Sequence, residues 1–361
     1  MARSLDNYIL LGNSGLRVSP FCLGTMTFGT EWGWGSEKEE ARKIFDIYVG
    51  KGGNFLDTAN NYTNGTSEKY IGEFMHGKRD QLIIATKYTS NMNSHDPNAG
   101  GNHRKNMRVS VEKSLRRLKT DYIDLYWVHA WEFRTPIEEV MRGLDDLVTQ
   151  GKILYIGVSD TPSWKIAEAQ TLSKLRGWTP FVATQVHYNL IERTPESDLV
   201  PMGLEMGIAI QPWSPLAGGV LSGKYSAEDL MKEAREESKS SRLEILKAFG
   251  QLSHKSIAIS EEVKKIAREV DGTPSQVSLN WLLNKPGVAS PIIGARTEKQ
   301  LQDNIGALDF DLTEAQMTRL DNVSSYPAPF PANFLGTERI HHVVDGDNKI
   351  EGGFKVKALM H

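Results

Sequence analysis

Asn54-Phe55-Leu56-Asp57-Thr58-Ala59-Asn60-Asn61-Tyr62 is a short apolar run that ends in a carboxylate, with a tyrosine five residues later in a polar loop. Two further strand-like runs end the same way. Leu82 to Thr86 stops at Lys87, and Tyr122 to Val128 stops at His129. Barrels of alternating strands and helices gather their ionisable groups at the carboxyl ends of several strands. Asp57, Tyr62, Lys87 and His129 at three such ends form a set suited to protonating the oxygen of a carbonyl as it is reduced. Tyrosine can supply that proton, although its ordinary pKa of about 10 makes it a weak donor near neutrality. A neighbouring lysine favours the phenolate, which predicts a lowered tyrosine pKa. Asp57 supplies the counter-ion for that lysine, and His129 can orient or polarise the carbonyl oxygen.

Outward from this stretch, short apolar runs alternate with longer helical patterns. Strands are expected near 21–24, 54–58, 82–88, 122–129, 153–158, 181–187, 207–213 and 288–293. Ser36-Glu37-Lys38-Glu39, Thr135-Pro136-Ile137-Glu138 and Thr273-Pro274-Ser275-Gln276 read as capping boxes at helix starts, and Thr161-Pro162 and Thr194-Pro195 repeat part of that signal. Eight strands with intervening helices predict a (β/α)₈ TIM barrel. The glycine fingerprint of an open dinucleotide-binding sheet does not follow the first strand. Residues 10–18 read as an N-terminal β-hairpin cap over one barrel end, and 226–256 as a charged, mobile helix. The tail from 323 to 361 reads as irregular. No linker divides the chain, so 1–361 is expected to be one domain, with the barrel spanning about 19–322.

The net charge of −3 with interspersed signs gives no electrostatic case for nucleic acid or a membrane surface. Cys22 is the single cysteine, which excludes an intrachain disulfide and any cysteine metal cage, and suits a reducing compartment. With neither a leader-like apolar run nor a membrane-length segment, a cytoplasmic location is expected. No metal site is expected either: no His-x-His follows the first strand, and the nine histidines are scattered.

The segment from Asn54 to Gly72, with Lys87 and His129 after the next two strands, resembles the aldo-keto reductase superfamily, and the similarity extends to about Asn322. The resemblance implies the barrel, a catalytic tetrad of Asp57, Tyr62, Lys87 and His129, and NADP(H) bound extended without a separate nucleotide domain. It implies hydride transfer coupled to protonation of an aldehyde or ketone, and reversibly oxidation of the alcohol. It maps the nicotinamide end onto Gly24, Thr25 and Met26, its carboxamide onto Ser159 and Gln185, and its stacking face onto Trp213. Ser214, Leu216, Gly218 and Lys224, in a glycine-rich run, map to the pyrophosphate.

Gly294 and Arg296 follow the eighth strand where an arginine near a helix start suits the adenosine 2′-phosphate, and Gln300 and Asn304 map to adenine. Gln300 has an equal competing reading, as the capping partner of Thr297. One position departs from the pattern: Asp160 stands where the family usually has Asn. It can accept from the carboxamide but cannot donate to its oxygen, and it can instead cap the helix after Thr161-Pro162. Trp32, Trp34, Tyr88 and Trp131 follow strands of the same barrel end and are expected to wall an aromatic substrate pocket. The expected partner is a small carbonyl or alcohol. The sequence leaves open whether the chain is a monomer or a homo-oligomer. A competing reading is a cofactor-binding, redox-sensing subunit with little turnover.

Overall fold

The computed structural model describes residues 3–226, 251–335 and 337–348. A two-stranded antiparallel hairpin, β1 (Ile9–Leu10) and β2 (Arg17–Val18), precedes eight parallel strands. These are β3 (Cys22–Gly24), β4 (Phe55–Asp57), β5 (Ile83–Tyr88), β6 (Ile123–Val128), β7 (Ile153–Ser159), β8 (Phe181–His187), β9 (Ala209–Trp213) and β10 (Ile292–Gly294). From β3 to β9 each pairs with the next, and β10 pairs with β3. Between β9 and β10 the ring is completed by the segment just before β10. Ile210 N–H donates to Gly287 O at 2.9 Å, and Ala289 N–H to Ile210 O at 2.8 Å. The last strand therefore starts later than the apolar run suggests, because residues 287–289 close the barrel with only an isolated bridge. The fold is the expected (β/α)₈ barrel.

Side-chain parity organises the two layers of the core, since successive strand residues point to opposite faces. Cys22, Phe55, Ile83, Ala85, Leu125, Trp127, Ala183 and Ala209 fill the barrel interior. Leu23, Leu56, Ile84, Tyr88, Tyr126, Val128, Ile156 and Val158 face outward into the helix layer. Within the barrel, Gly157 makes room for the Trp127 indole: a Cβ there would meet the ring at 2.3 Å. Leu11 and Val18 of the hairpin join the interior cluster, and Asn13 N–H donates to Gly207 O at 2.7 Å. The hairpin thus seals the floor of the barrel, opposite the strand ends that carry the ionisable groups.

Two of the three expected capping boxes are not formed. Ser36 Oγ donates to the Arg296 carbonyl and Thr135 Oγ1 to the Glu132 carboxylate at 2.5 Å, so neither satisfies a helix start. Thr273 and Gln276 do form the reciprocal box at Pro274–Leu283. The charged stretch 226–256 lies mostly outside the described residues, and its described end enters the helix His254–Glu269. The tail, expected irregular, contains short helices at Ala332–Leu335 and Glu338–Asp345. Among the described residues no helix is long and apolar enough to cross a membrane.

Candidate active site

Asp57 ends β4 and Lys87 lies in β5, both inside the barrel and both buried. The Lys87 ammonium is bonded to the Asp57 carboxylate. It also donates to Thr58 O at 2.8 Å and meets Tyr62 Oη at 3.1 Å. Three acceptors thus use the three N–H bonds of the ammonium. Gln185 Nε2, from β8, donates to the second Asp57 oxygen at 3.1 Å and to Gln211 Oε1 at 3.0 Å. Gln211 in turn donates to Ser290 O at 3.2 Å, which ties the charge pair to the closing segment of the barrel. Burial opposes the charge on Lys87, but Asp57 and then Tyr62 outweigh it, and its pKa is raised. The group is an ammonium across the physiological range.

Tyr62 starts a tight turn in which Thr63, Asn64 and Gly65 all have positive φ (46°, 56° and 89°). Left-handed conformation is costly for the β-branched Thr63, though asparagine tolerates it, so contacts outside the turn must hold it. Thr63 Oγ1 donates to Phe28 O at 2.6 Å and accepts from Ser67 N–H at 3.2 Å. Behind the turn, fully buried Glu68 takes Arg117 Nε at 2.5 Å and Thr86 Oγ1 at 2.6 Å. Burial raises the Tyr62 pKa, and Lys87 offsets only part of that rise. The expected lowering is therefore not the net result in this state, and Tyr62 keeps its proton at neutral pH. His129 follows β6, with its backbone N–H on Thr89 Oγ1 at 3.2 Å and its ring edge-on to Tyr62, centroids 6.0 Å apart. Burial and the nearby Lys87 push its pKa down to about 3, so its imidazole is neutral. Its Nδ1 is buried without a partner. The four expected residues therefore converge at one end of the barrel.

The other expected positions fall around them. Gly24 ends β3, and buried Thr25 donates through Oγ1 to Asp57 O at 2.9 Å, while Met26 is exposed. Ser159 Oγ donates to Gln185 O at 3.1 Å. Trp213 is stacked on His187 with centroids 4.3 Å apart and planes 11° from parallel, so one indole face is taken by the imidazole. Asp160 caps no helix: Pro162 holds the N-cap position with no side-chain bond. Its carboxylate instead accepts from Trp213 Nε1 at 3.0 Å.

Beyond β9, Ser214, Ala217, Gly218 and Gly219 all have positive φ, and Ser214 Oγ accepts from Gly218 N–H at 3.2 Å. Leu216 is half-buried beside this turn, and Lys224 folds over Gly219, where an added Cβ would meet its Nζ at 3.1 Å. Exposed Gly294 ends β10, two residues before Arg296. The Arg296 backbone is pinned by Gln300 Oε1 at 2.9 Å and Ser36 Oγ at 2.9 Å, and its exposed guanidinium makes no ion pair among the described residues. Thr297 caps the following helix by accepting from Gln300 N–H at 3.3 Å, and Asn304 Nδ2 donates to Gly294 O at 3.3 Å. Gln300 therefore receives the Thr297 cap through its backbone, but its side chain turns to Arg296 N–H, so the reciprocal capping box weighed for it is not formed.

Trp32 lies edge-on to Tyr62 at 6.2 Å and packs against exposed Trp34 at 5.7 Å. Trp131 is largely buried, with the Lys165 ammonium 5.7 Å above its ring. Tyr88 does not line a pocket. It is fully buried, stacked on Tyr126 at 5.2 Å, with its hydroxyl on Asn102 O. One residue past inward-facing Lys87, it must point outward. Sequence reasoning missed Gln211, Glu68, Arg117, Thr89 and His187. Only the barrel parity shared by Gln185, Gln211 and His187 could have hinted at them. Among the described residues no cluster of His, Cys, Asp and Glu is arranged to hold a metal.

The family model for the aldo/keto reductase family matches residues 20–325. The chain belongs to that family. Norsolorinic acid reductase of Aspergillus flavus is 37% identical over 337 residues, covering 91% of this chain and 83% of that protein. An aryl-alcohol dehydrogenase [NADP(+)] of Phanerodontia chrysosporium is 37% identical over 346 residues, covering 91% of this chain and 89% of its own. Norsolorinic acid reductase B of Dothistroma septosporum is 35% identical over 337 residues, covering 90% and 83%. The protein is an oxidoreductase of the aldo/keto reductase family, and family membership brings a nicotinamide cofactor and a small-molecule substrate.

Proposed function

We propose that this aldo/keto reductase catalyses the reversible NADP(H)-dependent reduction of aldehydes or ketones, with Tyr62 as the proton donor. The observation that carries the reading is the Lys87 ammonium, shared between the Asp57 carboxylate and the Tyr62 hydroxyl 3.1 Å away. The cofactor supplies the hydride. Tyr62 gives its proton to the carbonyl oxygen, and the adjacent ammonium stabilises the phenolate left behind. Asp57, held by Gln185, keeps Lys87 aimed at that hydroxyl. Neutral His129 offers one N–H to the same oxygen and does not compete as an acid.

The residues around the tetrad fit such a cofactor. Trp213 has a second indole face opposite His187, Gln185 keeps its Oε1 for an amide donor, and Lys224 beside the glycine turn brings a cation. Arg296, exposed at the start of the helix Glu298–Ile305, suits a 2′-phosphate and so favours NADP(H) over NAD(H). Trp32 and Trp34 beside Tyr62, together with the names of the relatives, point to aryl carbonyls or aryl alcohols as the substrate class.

The test is loss of NADPH absorbance with a panel of aldehydes and ketones, in the native protein and in Tyr62→Phe. General acid catalysis contributes about 10²–10⁴-fold, so the variant should lose that much turnover while binding cofactor as before. Reduction at an unchanged rate by Tyr62→Phe would refute the assignment.

A further inference from the structure

We propose that Asp160 biases the site toward the oxidised, cationic form of the nicotinamide. This rests on the reading above that the nicotinamide ring lies on Trp213. The Asp160 carboxylate is held against the edge of that platform by the indole N–H at 3.0 Å. Its backbone N–H donates to Gln185 O at 3.3 Å, so the residue is fastened to the strand end that also carries the Asp57 partner. His187 covers one indole face, so a second ring has only the other. An edge-bound carboxylate is equally near either face.

A ring stacked on an indole sits with its centroid about 4.5–7 Å away, which brings the carboxylate to roughly 6–8 Å from it. The other charges of the site offset this one only in part. Lys87 is paired with Asp57 and acts on Asp160 less than burial and the Trp213 bond do, His129 is uncharged, and Asp160 makes no ion pair among the described residues. Oxidised nicotinamide carries a positive charge in the ring and the reduced form carries none. A fixed negative charge at that distance therefore discriminates between the two redox states, which otherwise share nearly every contact. An asparagine at this position still accepts from the indole N–H, more weakly, and lacks the charge. Its new amide donor meets the carboxamide of both redox forms alike, so the ratio of the two dissociation constants isolates the electrostatic effect. For an exposed carboxylate at such a separation in a largely aqueous dielectric, Coulomb attraction corresponds to about a three- to sixfold effect.

The experiment is titration of the full-length protein with NADP⁺ and with NADPH at low salt, followed by quenching of tryptophan fluorescence, for the native protein, Asp160→Asn and Trp213→Ala. Asp160→Asn should raise the ratio of the NADP⁺ to the NADPH dissociation constant about three- to sixfold, chiefly by weakening NADP⁺. The difference from the native protein should shrink as salt is raised. If both constants move by the same factor, or neither moves, the carboxylate does not read the redox state and the proposal is overturned. If the native protein binds neither nucleotide, or Trp213→Ala leaves both constants unmoved, the placement of the nicotinamide on Trp213 falls and takes the proposal with it.

Discussion

Replacing Lys87 by methionine removes an ammonium from a site where nothing else can balance Asp57. Methionine keeps most of the stem volume, so packing changes little and the loss is electrostatic. Asp57 would retain Gln185 Nε2 as its side-chain donor while staying buried. Breaking one half of a buried ion pair costs about 3–5 kcal/mol. An independent bound comes from protonation. Keeping the carboxyl neutral at pH 7 against an unfolded pKa of about 3.9 costs close to 1.36 kcal/mol per unit, or roughly 4 kcal/mol. The two figures agree, so a deficit of about 3–4 kcal/mol is expected at pH 7. Burial already raises the Asp57 pKa in the native protein despite Lys87, and loss of the ammonium raises it further, so the folded variant binds more protons over that window. The deficit should therefore shrink by about 1.4 kcal/mol per unit as pH falls, to under about 1 kcal/mol near pH 4.5. Urea unfolding of the native protein, Lys87→Met and Asp57→Asn/Lys87→Met at both pH values measures this, and the double variant should regain most of the loss at pH 7. The same variant should lose turnover by about 10²–10⁴-fold, because Tyr62 no longer has a cation to stabilise its phenolate. A deficit that is equal at both pH values, with no recovery in the double variant, would refute the argument.

Two further outcomes follow from the same site. Arg296→Ala should raise the NADPH dissociation constant about 10–150-fold, the equivalent of a charge-assisted bond of roughly 1.5–3 kcal/mol, and leave that for NADH nearly unchanged. Equal losses would assign Arg296 to the loop. For His129, the depressed pKa of about 3 means that the unfolded chain binds more protons between pH 3 and about 6.5, so stability should rise with pH across that window. His129→Gln should flatten the rise by at most about 1.4 kcal/mol per pH unit, and unfolding free energies measured from pH 4 to 7 check it.

The convergence of Asp57, Lys87 and His129 was legible because an apolar run stopping at each of them is visible without a third dimension. Tyr88 was misplaced for want of parity. A strand buried on both faces shows no alternation of apolar and polar residues, so nothing in Ile83–Tyr88 announces which side faces the barrel. Ser36 and Thr135 carried the letters of a capping box, but their hydroxyls found better partners in Arg296 O and Glu132, the first of them far away in sequence. Glu68 and Arg117, which brace the Tyr62 turn, were invisible for the same reason: 49 residues separate them, and each reads alone as an ordinary helical charge. Asp160 stood out as unusual in the sequence, but only the fold brings the Trp213 indole to it. Local chemistry was readable, and long-range pairing was not.

The sealed floor has a practical corollary. Cys22, the single thiol in the chain, is wholly buried among the hairpin and barrel side chains, and burial holds its pKa well above the ordinary thiol value. Maleimides and other electrophiles react with exposed thiolates, so the folded native protein is silent to them. A cysteine introduced on any exposed helix becomes the one reactive handle, and a dye, spin label or surface tether can be attached there without first deleting a native residue. The same silence gives a direct readout of unfolding, because reaction at Cys22 requires the barrel interior to open.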